Sequence, residues 1–141
     1  DRASALMAAF IRERRLPEIK PDFRHYGFNH PDGTNDDDHG YEFWVTIPED
    51  MEVAPPFTKK HFPGGLYAAH AIAFGAFEEW GWLWQWVDKS PKYQFIPGDP
   101  ECMHGLLEEL LNAPAHALSD KIGEGAQLDL LMPVRIIEQS T

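Results

Sequence analysis

Two segments of the sequence pair a carboxylate with a large side chain on one side of an alternating pattern. In residues 41–47 the pair is Glu42 with Trp44, and in residues 127–137 it is Asp129 with Leu131. Alternation places every second side chain of a strand on the same face. The opposite face of both segments is aromatic or aliphatic, so we expect it to pack against helices.

If the two acidic faces line a common cleft, that cleft is both aromatic and acidic. Aromatic rings attract cations through their quadrupole, with about 0.5–2 kcal/mol for each contact. A carboxylate between apolar walls is costly by itself and is compensated when a cation arrives. Glu42, Trp44 and Asp129 therefore predict a site for a lipophilic cation. The alternative interpretation is a solvated face, which is common in antiparallel sheets.

Three further candidates also have two interpretations each. Glu108 and Glu109 lie within the apolar segment 106–111. Burial there would raise a carboxyl pKa and suit it to acid or base catalysis. Alternatively, both acids face solvent on a short helix. Trp86 departs from the apolar stripe of the predicted helix 74–88, so it either lines a site or is a core residue.

The sequence offers no motif for a metal or a cofactor, and we expect neither. The acidic run 36–38 with His39 is interpreted as a solvated turn, because no second cluster has ligand spacing. Cys102 is the only cysteine, which excludes an intramolecular disulfide and a thiolate zinc site.

Length and charge narrow the classes of function. The 141 residues suit one domain spanning 1–141. The chain has 12 basic and 23 acidic residues, a formal net charge of −11, which argues against direct nucleic-acid contact. No run approaches the ~20 apolar residues of a membrane span. No signal-peptide pattern opens the chain. We therefore expect a cytoplasmic protein without a membrane partner.

Periodicity and turn residues predict an α+β fold with mostly antiparallel strands. Helices are expected at 3–15 and 74–88. Strands are expected at 23–28, 41–47, 58–62, 66–72 and 127–137.

Four segments in this order are distinctive: RHYGFNHP at 24–31, GYEFWVTI at 40–47, FPGGLYA at 62–68 and LDLLMPV at 128–134. Together they resemble the GyrI-like small-molecule-binding family. The same domain is the effector-binding domain of multidrug-sensing MerR-type and AraC-type transcription regulators. The resemblance covers nearly the whole chain.

The resemblance implies a fold of two pseudo-symmetric strand-helix-strand-strand units. Their strands form a curved antiparallel sheet around a central cleft, and the helices lie on the outer face. The first strand of the family fold has no counterpart before the first predicted helix. Asp129 stands where the family has its cleft carboxylate, although many members carry Glu there. The cleft walls implied by position are Tyr26, Phe28, Trp44 and Tyr67.

The implied function is the binding of lipophilic, cationic or polycyclic aromatic molecules, for drug sensing or sequestration. A homodimer or a fusion to a DNA-binding domain is the expected assembly. The alternative is a hydrolase of cyclopropane-bearing DNA-alkylating compounds. That reaction would draw its acid or base from Glu42, Glu108, Glu109 or Asp129, with Trp44 or Trp86 as an aromatic clamp. A third hypothesis is an acidic surface that binds a DNA-processing enzyme.

Overall fold

The computed structural model describes residues 2–30, 40–97, 105–117 and 125–137. These residues form an α+β fold, as predicted. The helices are α1 (Arg2–Glu13), α2 (Leu16–Ile19), α3 (Trp80–Lys89) and α4 (Ala113–His116), with a 3₁₀ turn at Phe77–Glu79. The strands are β1 (His25–His30), β2 (Gly40–Val45), β3 (Tyr67–Ala73), β4 (Tyr93–Phe95), β5 (Leu107–Leu110) and β6 (Gln127–Ile136).

One curved antiparallel sheet organises the described chain, with the strand order β2-β1-β5-β6-β3. The short β4 pairs with the C-terminal part of β6, off this path. The succession β3-α3-β5-β6 is one strand-helix-strand-strand unit, with β4 inserted after its helix. The succession α1-β1-β2 repeats the helix and the two-stranded hairpin of that unit. The two hairpins meet where β1 pairs with β5 in the middle of the sheet.

The helices cover one face of the sheet, which we call the outer face. Met7, Phe10 and Ile11 recur at helical spacing on α1 and are buried there. Leu83 and Val87 are the buried residues of α3. From the sheet, Leu130 and Met132 of β6 enter the same core and are fully buried. The opposite face, which we call the inner face, carries no helix among the described elements.

The structure corrects two predicted elements and shortens a third. Residues 58–62 are not a strand. Phe62 packs its ring on Trp44 and Tyr26 of the sheet face. Residues 107–110, which include Glu108 and Glu109, form the central strand β5 and not a short helix. The predicted helix 74–88 begins only at Trp80, since Gly75 adopts a positive φ of 100° and a 3₁₀ turn follows it.

Within the described ranges, no helix is long and apolar enough to cross a membrane.

Candidate functional site

One row of side chains crosses the inner face on five neighbouring strands. Trp44 pairs with Tyr26, and Tyr26 pairs with Glu109. Glu109 pairs with Asp129, and Asp129 pairs with Ala71. Directly paired residues of neighbouring strands point to the same side. The register therefore brings two acids and two aromatic residues from distant parts of the sequence into one line.

A second hydrophobic cluster surrounds this row and is separate from the main core. Its buried members are Tyr26, Phe28, Leu107 and Leu131. Trp44, Phe62 and Tyr67 pack against it. The rings of Phe28 and Trp44 meet edge to face, with 4.8 Å between their centroids. The inner face is thus partly apolar, and a carboxylate on it stands next to aromatic surface.

Glu109 is the most deeply buried acid of the inner face, with 8% of its surface exposed. Arg24, just before β1, donates two hydrogen bonds to its two carboxylate oxygens, each at 2.7 Å. The guanidinium also lies over the ring of Tyr26, 5.2 Å from the centroid. Such a two-pronged pair fixes both partners. Burial, together with the charge of Glu109, raises the pKa of Tyr26 to about 12.

Glu42 is held by different partners at the edge of the sheet. Lys60 donates to its Oε2 at 2.9 Å. Trp44, two residues along the same strand, donates its indole N–H to the same oxygen. The ammonium of Lys60 lies 5.8 Å from the Trp44 ring centroid. Glu42, Trp44 and Lys60 therefore form a small cation-on-aromatic arrangement closed by a carboxylate.

Asp129 differs from both of these acids. It accepts no hydrogen bond and makes no ion pair with any side chain in the described part of the chain. Burial raises the pKa of its carboxyl group, and the neighbouring charge of Glu109 raises it further. Arg24 and His70 act in the opposite direction but do not cancel the effect. Within the described ranges, an ionised Asp129 is consequently a charge without a direct ion-pair partner.

Glu108 and Trp86 are not brought to the inner face. Glu108 points to the outer face, where it accepts hydrogen bonds from the Tyr41 hydroxyl at 2.6 Å and from the Trp80 indole at 3.3 Å. Trp86 lies on α3 with 56% of its surface exposed and stacks on Tyr93. The other seven predicted site residues share the inner face: Tyr26, Phe28, Glu42, Trp44, Tyr67, Glu109 and Asp129.

A cavity of about 910 Å³ opens between β2 and residues 49–62. It shares its lining with the β2 side of the inner face, and Asp129 does not line it. The residues common to both are Arg24, Tyr26, Glu42, Trp44, Lys60 and Phe62. The cavity therefore offers room for a ligand of moderate size beside the aromatic cluster.

Sequence reasoning missed three residues that shape this face: Arg24, Lys60 and Phe62. Arg24 could have been found from the sequence. It lies two residues before Tyr26, and alternation places both side chains on the same face of the sheet. Residues 36–39 and Cys102 lie outside the described residues. Among the residues that are described, no group of three or more potential metal ligands comes together.

The arrangement defines a class of protein. A curved antiparallel sheet with helices on one face is consistent with the fold of a GyrI-like effector-binding domain. A family model agrees: the one described as Cass2, integron-associated effector binding protein, matches residues 2–134. The chain belongs to this family. No curated protein and no solved structure matches the chain. Effector binding makes a small-molecule ligand the general expectation for this chain.

Proposed function

We propose that the inner face binds lipophilic organic cations, with Asp129 receiving the positive charge and the aromatic cluster receiving the apolar part. The observation that carries the proposal is the unpaired carboxylate of Asp129. Its two acidic neighbours on this face, Glu42 and Glu109, each have a basic partner, whereas Asp129 has none among the described residues.

The charges of this face favour a cation. Arg24 and Lys60 contribute two positive charges, and Glu42, Glu109 and Asp129 contribute three negative ones. With all five ionised, one negative charge remains, and it is on Asp129. A cation that approaches this carboxylate gains more attraction than it would in water, because apolar side chains lower the local dielectric constant. Selectivity then rests on charge and shape, which permits several related ligands.

The test compares two molecules of the same shape that differ only in charge. Benzyltrimethylammonium is the cation, and neopentylbenzene is its neutral carbon counterpart. Binding is measured by calorimetry and by quenching of tryptophan fluorescence. We expect Asp129→Asn to weaken the cation by about 10-fold or more and to leave the neutral molecule nearly unchanged. Trp44→Ala is expected to weaken both molecules by roughly 3- to 30-fold.

Glu108→Gln is the matched control, because it neutralises a carboxylate on the outer face of the same sheet. The glutamine oxygen can still accept the hydrogen bond from Tyr41, and only the longer bond from the Trp80 indole is lost, so a melting curve accompanies the binding measurement. This control should bind both molecules as the wild type does. If Asp129→Asn keeps full affinity for the cation while its melting curve is unchanged, Asp129 is not the charge receptor and the proposal fails.

The same ligand site also suggests a role in the cell. We infer a cytoplasmic drug-sensing or sequestering domain that recognises several drugs, and as a sensor it would act in transcription regulation through a fused DNA-binding domain or a homodimer. The predominance of acids and the affinity of aromatic surface for planar cations support a sensor of this kind. Measuring the mass of the purified chain in solution tests the dimer directly.

One observation also favours the hydrolytic alternative. Burial raises the pKa of Asp129, which suits a carboxyl group that donates a proton to an opening ring. Glu109 is less suited, since Arg24 occupies both of its oxygens. Incubation with a cyclopropane-bearing alkylator, followed by mass spectrometry, separates the two functions. Catalytic formation of a product that has gained one water identifies a hydrolase, and an unchanged alkylator identifies a binding domain.

A further inference from the structure

Residues 48–62 cross from the end of β2 toward the inner face, and we name them the strap. They contain neither helix nor strand. The strap is anchored to α1 by Phe57, whose ring lies 4.7 Å from that of Phe10, and by Arg14, which donates to the Glu52 carbonyl at 3.2 Å. Lys59 ties it internally by donating to two of its own carbonyl oxygens. These anchors lie at or before Lys59, so they leave the last residues of the strap to make other contacts.

The last residues of the strap lie on the aromatic cluster. The ring centroid of Phe62 is 5.5 Å from that of Trp44, 5.8 Å from that of Tyr26 and 6.4 Å from that of Tyr67. Tyr26 belongs to β1 and Tyr67 to β3, and two strands separate them in the sheet. A single ring that contacts both must sit over the middle of the curved face. Phe62 packs against the cluster that includes Leu107 of β5 and Leu131 of β6, each two residues from the acid on its strand.

Lys60 holds this end of the strap through the contacts with Glu42 and Trp44 described above. Its hold is weaker than that of Arg24. Arg24 makes two hydrogen bonds to a carboxylate whose side chain is 10% exposed, whereas Lys60 makes one to Glu42, whose side chain is 25% exposed. Exposed single-point ion pairs contribute little to stability. The ammonium group and the ring of the strap can thus leave the face without unfolding the sheet.

The ammonium group of Lys60 and the ring of Phe62 together resemble an aralkylammonium ion, which carries a cationic centre near an aromatic ring. Lys60 and Phe62 are two residues apart, a span of about 7 Å in extended chain. We infer that this pair occupies part of the ligand site in the unliganded protein: Phe62 stands in the place of the ligand's ring, and Lys60 holds it there through Glu42. A ligand with one aromatic ring and a cationic centre that reaches Asp129 displaces it. The inference rests on the proposed function and adds the class of ligand and two residues that govern its entry.

The test uses variants that release the strap. Lys60→Met keeps the length and packing of the side chain but removes the ion pair with Glu42. Phe62→Ala removes the ring from the cluster. If the strap competes with the ligand, both variants bind benzyltrimethylammonium more tightly, by about 10-fold. They also bind neopentylbenzene more tightly, and this gain cannot come from the altered charge. If Phe62 is a wall of the site, Phe62→Ala instead weakens both molecules, which overturns the inference.

Lys92→Met is the matched control, because Lys92 also lies over an aromatic ring, 5.4 Å from the centroid of Tyr93 on β4. It should leave both affinities unchanged. Lysine acetylation followed by mass spectrometry gives an independent result. We expect benzyltrimethylammonium to increase the acetylation of Lys60 relative to Lys92 in the wild type. A decrease would show that the strap closes over the ligand and would overturn the inference.

The outcomes for the two proposals are distinguishable. Binding that depends on Asp129 but is weakened by Phe62→Ala leaves the proposed function intact and removes only the competition by the strap. Binding by Phe62→Ala in the absence of binding by the wild type supports the competition directly. No binding by the wild type or by either variant overturns both proposals.

Discussion

Neighbouring carboxylates on the two faces of the sheet are stabilised by different kinds of group. Glu108 and Glu109 are consecutive residues of β5, and alternation sends them to different sides. Glu108, on the outer face, accepts hydrogen bonds from the neutral donors of Tyr41 and Trp80. Glu109, on the inner face, is neutralised by Arg24. The outer face therefore satisfies its carboxylate with neutral groups of the fold, whereas the inner face needs added positive charge.

The contrast between the two faces indicates on which of them a ligand can bind. All the donors to Glu108 belong to the fold itself, so nothing remains for a ligand to supply there. On the inner face one carboxylate lacks a cation: Asp129 is paired with Glu109 in the same row and has no basic partner among the described residues. A stable protein retains such a charge only if its cost is small or if its use compensates for it. Substitutions on each face can test this contrast separately.

The largest effect is expected for Arg24→Ala on the inner face. The substitution leaves Glu109 buried without its cation and next to Asp129. Removing one partner of a buried pair costs about 3–5 kcal/mol, and the partial exposure of Arg24 reduces our expectation to about 2–3 kcal/mol. Urea denaturation at pH 7 measures the change.

Two further variants check that the ion pair is responsible for this loss. Arg15→Ala breaks a pair with Glu18 in which both side chains are exposed, so we expect less than about 0.5 kcal/mol. Adding Glu109→Gln to Arg24→Ala should recover more than half of the loss, because no buried charge then remains. A double variant as unstable as Arg24→Ala alone would contradict this account of the inner face.

An intermediate effect is expected for Gly27→Ala on the outer face. A Cβ atom at Gly27 would lie 2.2 Å from the hydroxyl oxygen of Tyr41 and 2.5 Å from its Cε1. The ring must move, and the hydrogen bond to Glu108 is lost with it. We expect a cost of about 1–3 kcal/mol in urea denaturation, with unchanged affinity for benzyltrimethylammonium.

Gly81→Ala is the control for this substitution and has the opposite sign. Gly81 lies within α3, and a Cβ atom added there would meet no neighbouring atom within 4 Å. Alanine is favoured over glycine in a helix by about 1 kcal/mol, so the variant should be more stable than the wild type. Loss of ligand affinity in Gly27→Ala at full stability would mean that the two faces are coupled.

Alternation along β6 was sufficient to predict which of its residues face which way. Leu128, Leu130 and Met132 enter the main core, and Asp129 and Leu131 lie on the inner face, as the pattern indicated. A period of two is a local property, so it can be read without knowing the partner strands. The α+β class and the position of the helices follow from the same reasoning.

The pairing of charges could not be read in this way. Arg24 and Glu109 are 85 positions apart, and only the pairing of β1 with β5 brings them together. Residues 58–62, the last part of the strap, were wrongly predicted as a strand, because Lys60 and Phe62 make their contacts with side chains on the face of the sheet. On α3, the predicted apolar stripe included Trp84 as a core residue, and this was wrong. Leu83 is buried, and Trp84 is 39% exposed.

The smallest effect, and the one that links stability to function, is expected for Asp129→Asn in the unliganded protein. The pKa of Asp129 is raised in the folded state, so folding disfavours its ionised form. Below the unfolded pKa both states are protonated and the charge costs nothing. As the pH rises through the folded pKa, stability is lost, and the full loss is present at pH 7. The variant should therefore melt slightly higher than the wild type at pH 7. Near pH 3 the two proteins should melt at the same temperature.

Binding of a cation should depend on pH with the opposite sign. The cation requires an ionised Asp129, so affinity for benzyltrimethylammonium falls as the pH drops through the raised pKa. Asp22→Asn is the control for the melting measurement. The pKa of Asp22 is lowered by its hydrogen bond with Lys20, so its removal should not raise the melting temperature. If Asp129→Asn melts below the wild type at pH 7, the carboxylate has a partner that stabilises it, and the site then lacks the uncompensated charge that should attract a cation.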